Sequence, residues 1–216
     1  MANKLKEGDI FYVQYQGKYF FGKILMDIVE RMPVREIPMK TFHDCYLIGV
    51  YKGIYDKSIL LETEFIIPSI FVEKKQFYHL NIEHKTEWHF YKNEPINYKK
   101  DISFPENITI INSKDICFRC GEVHLPTKLT KKDWLGDFDI QRRVHYCYST
   151  VLMMACHYQN KDELMAFVPY AFLEKEDLRF AENQREEVYK QIGEDIKISY
   201  YELSLKYGLD LGRFYE

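Results

Sequence analysis

Cys117-Phe118-Arg119-Cys120-Gly121, with His124 just beyond it, is the best local candidate for chemistry in this chain. Two thiolates at this spacing, followed by a glycine that permits a tight turn, can wrap a Zn²⁺ ion. His124 could supply a third ligand, but a closed structural site needs four. The possible fourth ligands, His145, Cys147, Cys156 and His157, all fall on one expected helix, and no second Cys-x-x-Cys exists. Cys117, Cys120 and His124 are therefore expected as a reduced, unliganded set in a loop, with no metal or cofactor. Zinc stays open as the alternative.

His43-Asp44-Cys45 sets an imidazole and a thiol two positions apart, on one face if the segment is a strand. Strand neighbours point in parallel rather than at each other, which makes a poor nucleophile–base pair. Cys45 reads as a half-buried strand thiol. His79, His84 and His89 lack His-x-His or His-Glu-x-x-His spacing and read as surface or interface residues. No dinucleotide fingerprint, phosphate loop or nucleophile elbow occurs. No catalytic residue is expected, and the chain is not expected to be an enzyme.

The elements that would carry these residues divide the chain in two. Asp9–Gln16 alternates Phe11, Val13 and Tyr15 on one face, and Gln16-Gly17 makes a tight turn into Tyr19–Ile28. Cys45–Tyr51, Phe65–Val72 and Thr86–Tyr91 are further short strands, with Pro68 marking an edge or a break. Glu30–His43, holding Pro33 and Pro38, interrupts them as a polar insertion. From Ile140 the period changes. Ile140, Val144, Tyr148, Val151, Ala155 and Tyr158 form one helix face, capped by Asp137 or Asp139. Leu178, Ala181, Arg185, Val188 and Ile192 form another, ended by Gly193. Ser199-Tyr200-Tyr201-Glu202 is a capping box for a last helix, closed by Gly208. The expected fold is α+β: a β-rich module over 1–112 resembling a curved or SH3-like sheet, a connector over 113–132, and a helical region over 133–216.

The 216 residues are 46% hydrophobic and 29% charged, with a net charge of −3, which excludes disordered, collagen-like and membrane classes. Eighteen Tyr and 15 Phe serve core and interface more simply than base stacking. Residues 1–112 are net neutral, 113–158 carry +2 and 159–216 carry −5. No basic footprint for nucleic acid is visible. Five cysteines without a secretory leader favour reduced thiols and a cytoplasmic location.

Gly8-Asp9-Ile10-Phe11, then Gly17-Lys18-Tyr19-Phe20-Phe21-Gly22-Lys23-Ile24-Leu25, resembles the start of the immunity-26 family of bacterial polymorphic-toxin immunity proteins. Tyr46–Tyr51 stands where the family has a core strand, and Glu87-Trp88-His89-Phe90-Tyr91-Lys92-Asn93-Glu94-Pro95-Ile96 resembles a later family element. The likeness spans residues 6–97. It implies a protein that neutralises a cognate toxin protein by stoichiometric binding, with neither nucleic acid nor membrane as partner. The alternatives are a small metal-dependent hydrolase using Cys117, Cys120 and His124, and a nucleic-acid-binding SH3-like module.

Overall fold

The computed structural model describes residues 4–32, 42, 44–75, 88–111, 115–130, 145–170 and 172–215. His43, His79, His84, Asp137, Asp139 and the Ile140–Val144 part of the expected helix face lie outside the described residues.

The fold is α+β, with antiparallel sheets first and helices mostly in the C-terminal part. β1 (Asp9–Tyr15) and β2 (Lys18–Asp27) form a hairpin whose turn residues Gln16 and Gly17 both have positive φ, 48° and 73°. That mirror-image turn matches the right-handed twist of the paired strands. The helical turn α1 (Ile28–Arg31) follows, its N–H groups capped by Asp27. β3 (Cys45–Tyr51), β4 (Phe65–Glu73) and β5 (Trp88–Asn93) complete a five-stranded sheet in the order β4-β3-β2-β1-β5. β4 is an edge, as Pro68 requires, and its register against β3 shifts next to the proline. After the turn α2 (Tyr98–Asp101), β6 (Glu106–Ile111), β7 (Asp115–Cys120) and β8 (Val123–Pro126) make a three-stranded meander.

The segment expected as a connector over 113–132 is thus two strands in its described part. Ile116, Phe118 and Cys120 alternate into the core from β7, while Asp115, Arg119, Glu122 and His124 hide so short a period in sequence. The helix α3 (Tyr148–His157) also begins later than the periodicity predicts. Tyr146 instead lies along the outer side of β4. Its N–H donates to the Phe71 carbonyl at 2.9 Å, and its carbonyl accepts from Glu73 at 3.2 Å. Cys147 is extended, as an N-cap should be. Edge pairing satisfies backbone groups that an extra helical turn would otherwise have satisfied.

α4 (Glu182–Ile192) ends at a left-handed Gly193, and α5 (Tyr200–Lys206) begins with the expected Ser199–Glu202 capping box. Both faces of the large sheet are covered. Tyr46, Ile48, Ile70 and Val72 pack with α3 on one side. The alternating residues Leu47 and Phe71, joined by Met26, pack with the small sheet, α4 and α5 on the other. The C-terminal residues return to the start of the chain. Arg31 donates to the Phe214 carbonyl at 3.1 Å and lies over the Tyr215 ring, which stacks on Tyr98 at 4.7 Å. Among the described residues, no helix is long and apolar enough to cross a membrane.

Candidate functional site

Cys117 and Cys120 sit three positions apart on a strand, so β7 turns them to opposite faces. Cys120 lies in the core and donates to the Phe104 carbonyl at 3.6 Å; burial pushes its thiol well above the ordinary value. Cys117 shares the other face with Arg119 and, across the β7–β8 pair, His124. Burial first, and then the Arg119 charge, lower the His124 pKa to about 4. A guanidinium directly opposite His124 repels a metal cation as it repels a proton. The sequence-marked triad is therefore not brought together. Among the described residues no group of His, Cys, Asp and Glu side chains is placed to hold a metal.

Two further candidates, His145 and Cys147, flank Tyr146 just before α3. His145 Nε2 lies 2.5 Å from Glu73, and Cys147 contacts the Ser149 and Thr150 hydroxyls at 3.2 and 3.0 Å. Burial raises the Cys147 pKa, but hydrogen bonds from Ser149 and Thr150 outweigh it, and the thiol is net lowered. His145 Nδ1, however, has no hydrogen-bond partner, so imidazole and thiol are not engaged. A nucleophile–base pair needs that contact. Cys45 and Cys156 are pushed up to about 12 by burial and nearby carboxylates.

The polar cluster that sequence reasoning missed ties the two sheets to α4. Arg179 uses every donor it has: Nε and Nη2 on Asp177, Nη1 on the Ser69 and Ser103 hydroxyls, and Nη2 also on the Ser69 carbonyl at 2.7 Å. Arg185 grips Glu106 with a two-pronged contact at 2.6 and 2.8 Å, and Tyr189 donates to the same carboxylate at 3.0 Å. A cleft of about 160 Å³ opens beside them, lined also by Lys99, Lys100 and Tyr200. Both guanidiniums are already neutralised by carboxylates, so the cluster works as a staple rather than an anion receptor. The signal for it was Arg185, a charge inside an otherwise apolar helix stripe.

Two surfaces remain. A cleft of about 240 Å³ lies between β2, the 60–65 loop and the end of β5, with Lys23, Lys92, Glu94 and Asp101 on its walls. The Lys92 ammonium, 2.7 Å away, holds the Glu94 carboxyl below its ordinary value despite some burial. The second surface is the loop between α3 and the turn Leu173–Lys175, where Phe167, Val168 and Tyr170 are 41%, 71% and 89% exposed. Tyr170 follows the buried Pro169, so the chain turns outward around an anchored residue. In sequence, the uncharged run Met165–Phe172 was visible but indistinguishable from core. No family model, curated protein or solved structure matches the chain.

Proposed function

We propose that the chain is an immunity-type protein that captures a cognate toxin protein stoichiometrically in the cytoplasm, without catalysis of its own. The observation that carries this proposal is the meeting of the two separated segments on which the family resemblance rests. Gly8 has φ +85° and donates to the Ile24 carbonyl, while its own carbonyl accepts from Glu94 at 2.9 Å. A Cβ at Gly8 would stand 2.7 Å from the Glu94 carbonyl oxygen, so both the conformation and the close approach require glycine. Asp9, almost wholly buried, accepts from the Asn93 side chain at 2.8 Å and from the Lys6 amide at 2.9 Å. Gly22 leaves room for the Phe11 ring, which a Cβ would meet at 2.5 Å. Gly8-Asp9-Ile10-Phe11, Gly22 and the Asn93-Glu94 exit thus depend on one another. The two segments that resemble immunity-26 proteins therefore form one packed unit here, and the capture role is proposed from that resemblance.

Co-expression tests it. A polymorphic-toxin reading frame beside this gene is the first expected outcome, and cells producing that toxin should survive when the chain is present and die without it. Death at the same rate in both cases would refute the capture role. Steep loss of RNA or DNA binding with salt would instead support the nucleic-acid alternative.

A further inference from the structure

Lys23 stands on the central strand of the large sheet, opposite Ile10 on one side and Gly49 on the other, and its side chain is only 9% exposed. An ammonium carries three donors, and burying one is costly unless acceptors meet it. The carboxylate that faces it, on Glu94, lies 3.8 Å away, longer than a hydrogen bond. The other oxygen of Glu94 is held by Lys92 at 2.7 Å, and its backbone N–H is tied to the Gly8 carbonyl at 2.9 Å. Tyr51 repeats the pattern. It is 6% exposed, and among the described residues its hydroxyl makes no hydrogen bond. Burial first, and then the Glu94 and Asp101 charges, push its pKa up, so it remains a donor.

Both groups line the cleft between β2, the 60–65 loop and the end of β5. Its volume of about 240 Å³ is room for about eight water molecules at ~30 Å³ each. Leu25, Leu60 and Phe65 give it an apolar wall. The Phe65 ring lies over Gly49, where a Cβ would stand 2.8 Å from it, and beside the Tyr51 ring at 4.6 Å. Two carboxylates complete the lining. Asp101 accepts the Asn97 N–H at 2.8 Å through one oxygen, and Glu62 is exposed.

The cleft thus sets two buried donors, two carboxylates and an apolar wall around one space. A simple carboxylate would answer Lys23 and Tyr51 but meet the like charges of Asp101 and Glu62. A simple amine would answer those carboxylates and leave the buried donors unmet, and only a zwitterion answers both. We propose that this cleft binds a free α-amino acid with an apolar side chain, its carboxylate on Lys23 and Tyr51, its ammonium toward Asp101 and Glu62, and its side chain against Leu25, Leu60 and Phe65. Small-molecule sites have this make-up, an apolar wall with a few placed polar groups. The site does not depend on toxin capture.

The test titrates the full chain calorimetrically with L-leucine, with N-acetyl-leucine, which lacks the ammonium, and with leucinamide, which lacks the carboxylate. Leucine should bind, and each derivative should bind more weakly by about 10-fold or more, because it leaves charged groups of the cleft unanswered. Tyr51→Phe removes only a hydroxyl without a protein partner. It should unfold at the same temperature as the unchanged protein and lose about 10-fold in leucine affinity. Lys23→Met should lose at least as much; if it does not fold, Tyr51→Phe decides. Lys52→Met, at an exposed lysine outside the cleft, should bind leucine like the unchanged protein. N-acetyl-leucine binding as tightly as leucine would make this a plain carboxylate site, as for a peptide C-terminus, and overturn the proposal. Leucinamide binding as tightly would overturn it as well, since Lys23 would then not be read. No leucine binding at millimolar concentration, or undiminished binding by Tyr51→Phe, would have the same result.

Discussion

Cysteine and histidine, the residues that drew first attention, are separated by their surroundings rather than gathered. Cys147 has its pKa lowered by hydroxyl hydrogen bonds, while burial raises those of Cys45, Cys120 and Cys156. Alkylation depends on the thiolate and on access. Iodoacetamide at about pH 7.5 should therefore modify Cys147 first, as read by peptide mass spectrometry. Faster labelling of Cys120 than of Cys147 would contradict this. His124 makes a prediction about acid stability. In an unfolded chain it titrates near ~6.5, whereas burial and Arg119 bring it to about 4 in the fold. Between those values the unfolded chain takes up a proton that the folded one refuses, so stability falls as pH drops through that window and is unaffected above it. His124→Asn should flatten that part of a plot of urea midpoint against pH. An unchanged slope would show that other groups carry the acid sensitivity.

At the scale of elements, the decisive join is where β4, the 103–106 segment and α4 meet on Arg179 and Glu106. Ser69, Ser103, Asp177 and Arg185 come from four places in the sequence, yet their bonds all run through this cluster. Removing one partner of a buried ion pair leaves the other charge uncompensated. Arg179→Met should accordingly cost about 3–5 kcal/mol in urea unfolding. It should also loosen α4 before the β1–β2 hairpin, as hydrogen exchange would resolve. A change below ~1 kcal/mol would mean the staple is not needed.

For the whole molecule, the proposed capture role gives the acidic C-terminal third, net −5 over residues 159–216, a part in partner encounter that can be tested. Glu186 and Glu187 are exposed on α4, and charge on such a face steers association more than it strengthens the complex. Reversing both to Lys should slow the on-rate for a basic toxin domain and weaken its salt dependence, with little change in off-rate. Stopped-flow mixing at two salt concentrations reads both; an unaltered on-rate would remove this face from the encounter. Much of this fold was legible because its signals are local. The period-two run of β1, the Gln16-Gly17 turn, Pro68 at an edge, Gly193 and the Ser199–Glu202 box each act within a few residues. β3, expected at Cys45–Tyr51 from its β-branched and aromatic run, was legible too, although burial on both faces leaves it no alternation. What stayed hidden depends on distant partners. β7 and β8 are too short and too charged to stand out, and Tyr146 left the helical pattern for the edge of β4. The Cys-x-x-Cys motif misled for the same reason: spacing alone does not tell a strand from a loop.

The return of Phe214 and Tyr215 to Arg31 and Tyr98 has a consequence for biosynthesis. Met26, Leu47 and Phe71 emerge from the ribosome long before Leu203 and Leu211, which share their core cluster. At translation rates of about 5–20 residues per second, that face of the large sheet stays uncovered for many seconds. Antiparallel strands with one bare apolar face are prone to associate with other nascent chains. Stalled chains that stop short of Leu203 should therefore associate with one another or with a chaperone more than chains that extend past Leu211, as co-purification of the nascent chains would read.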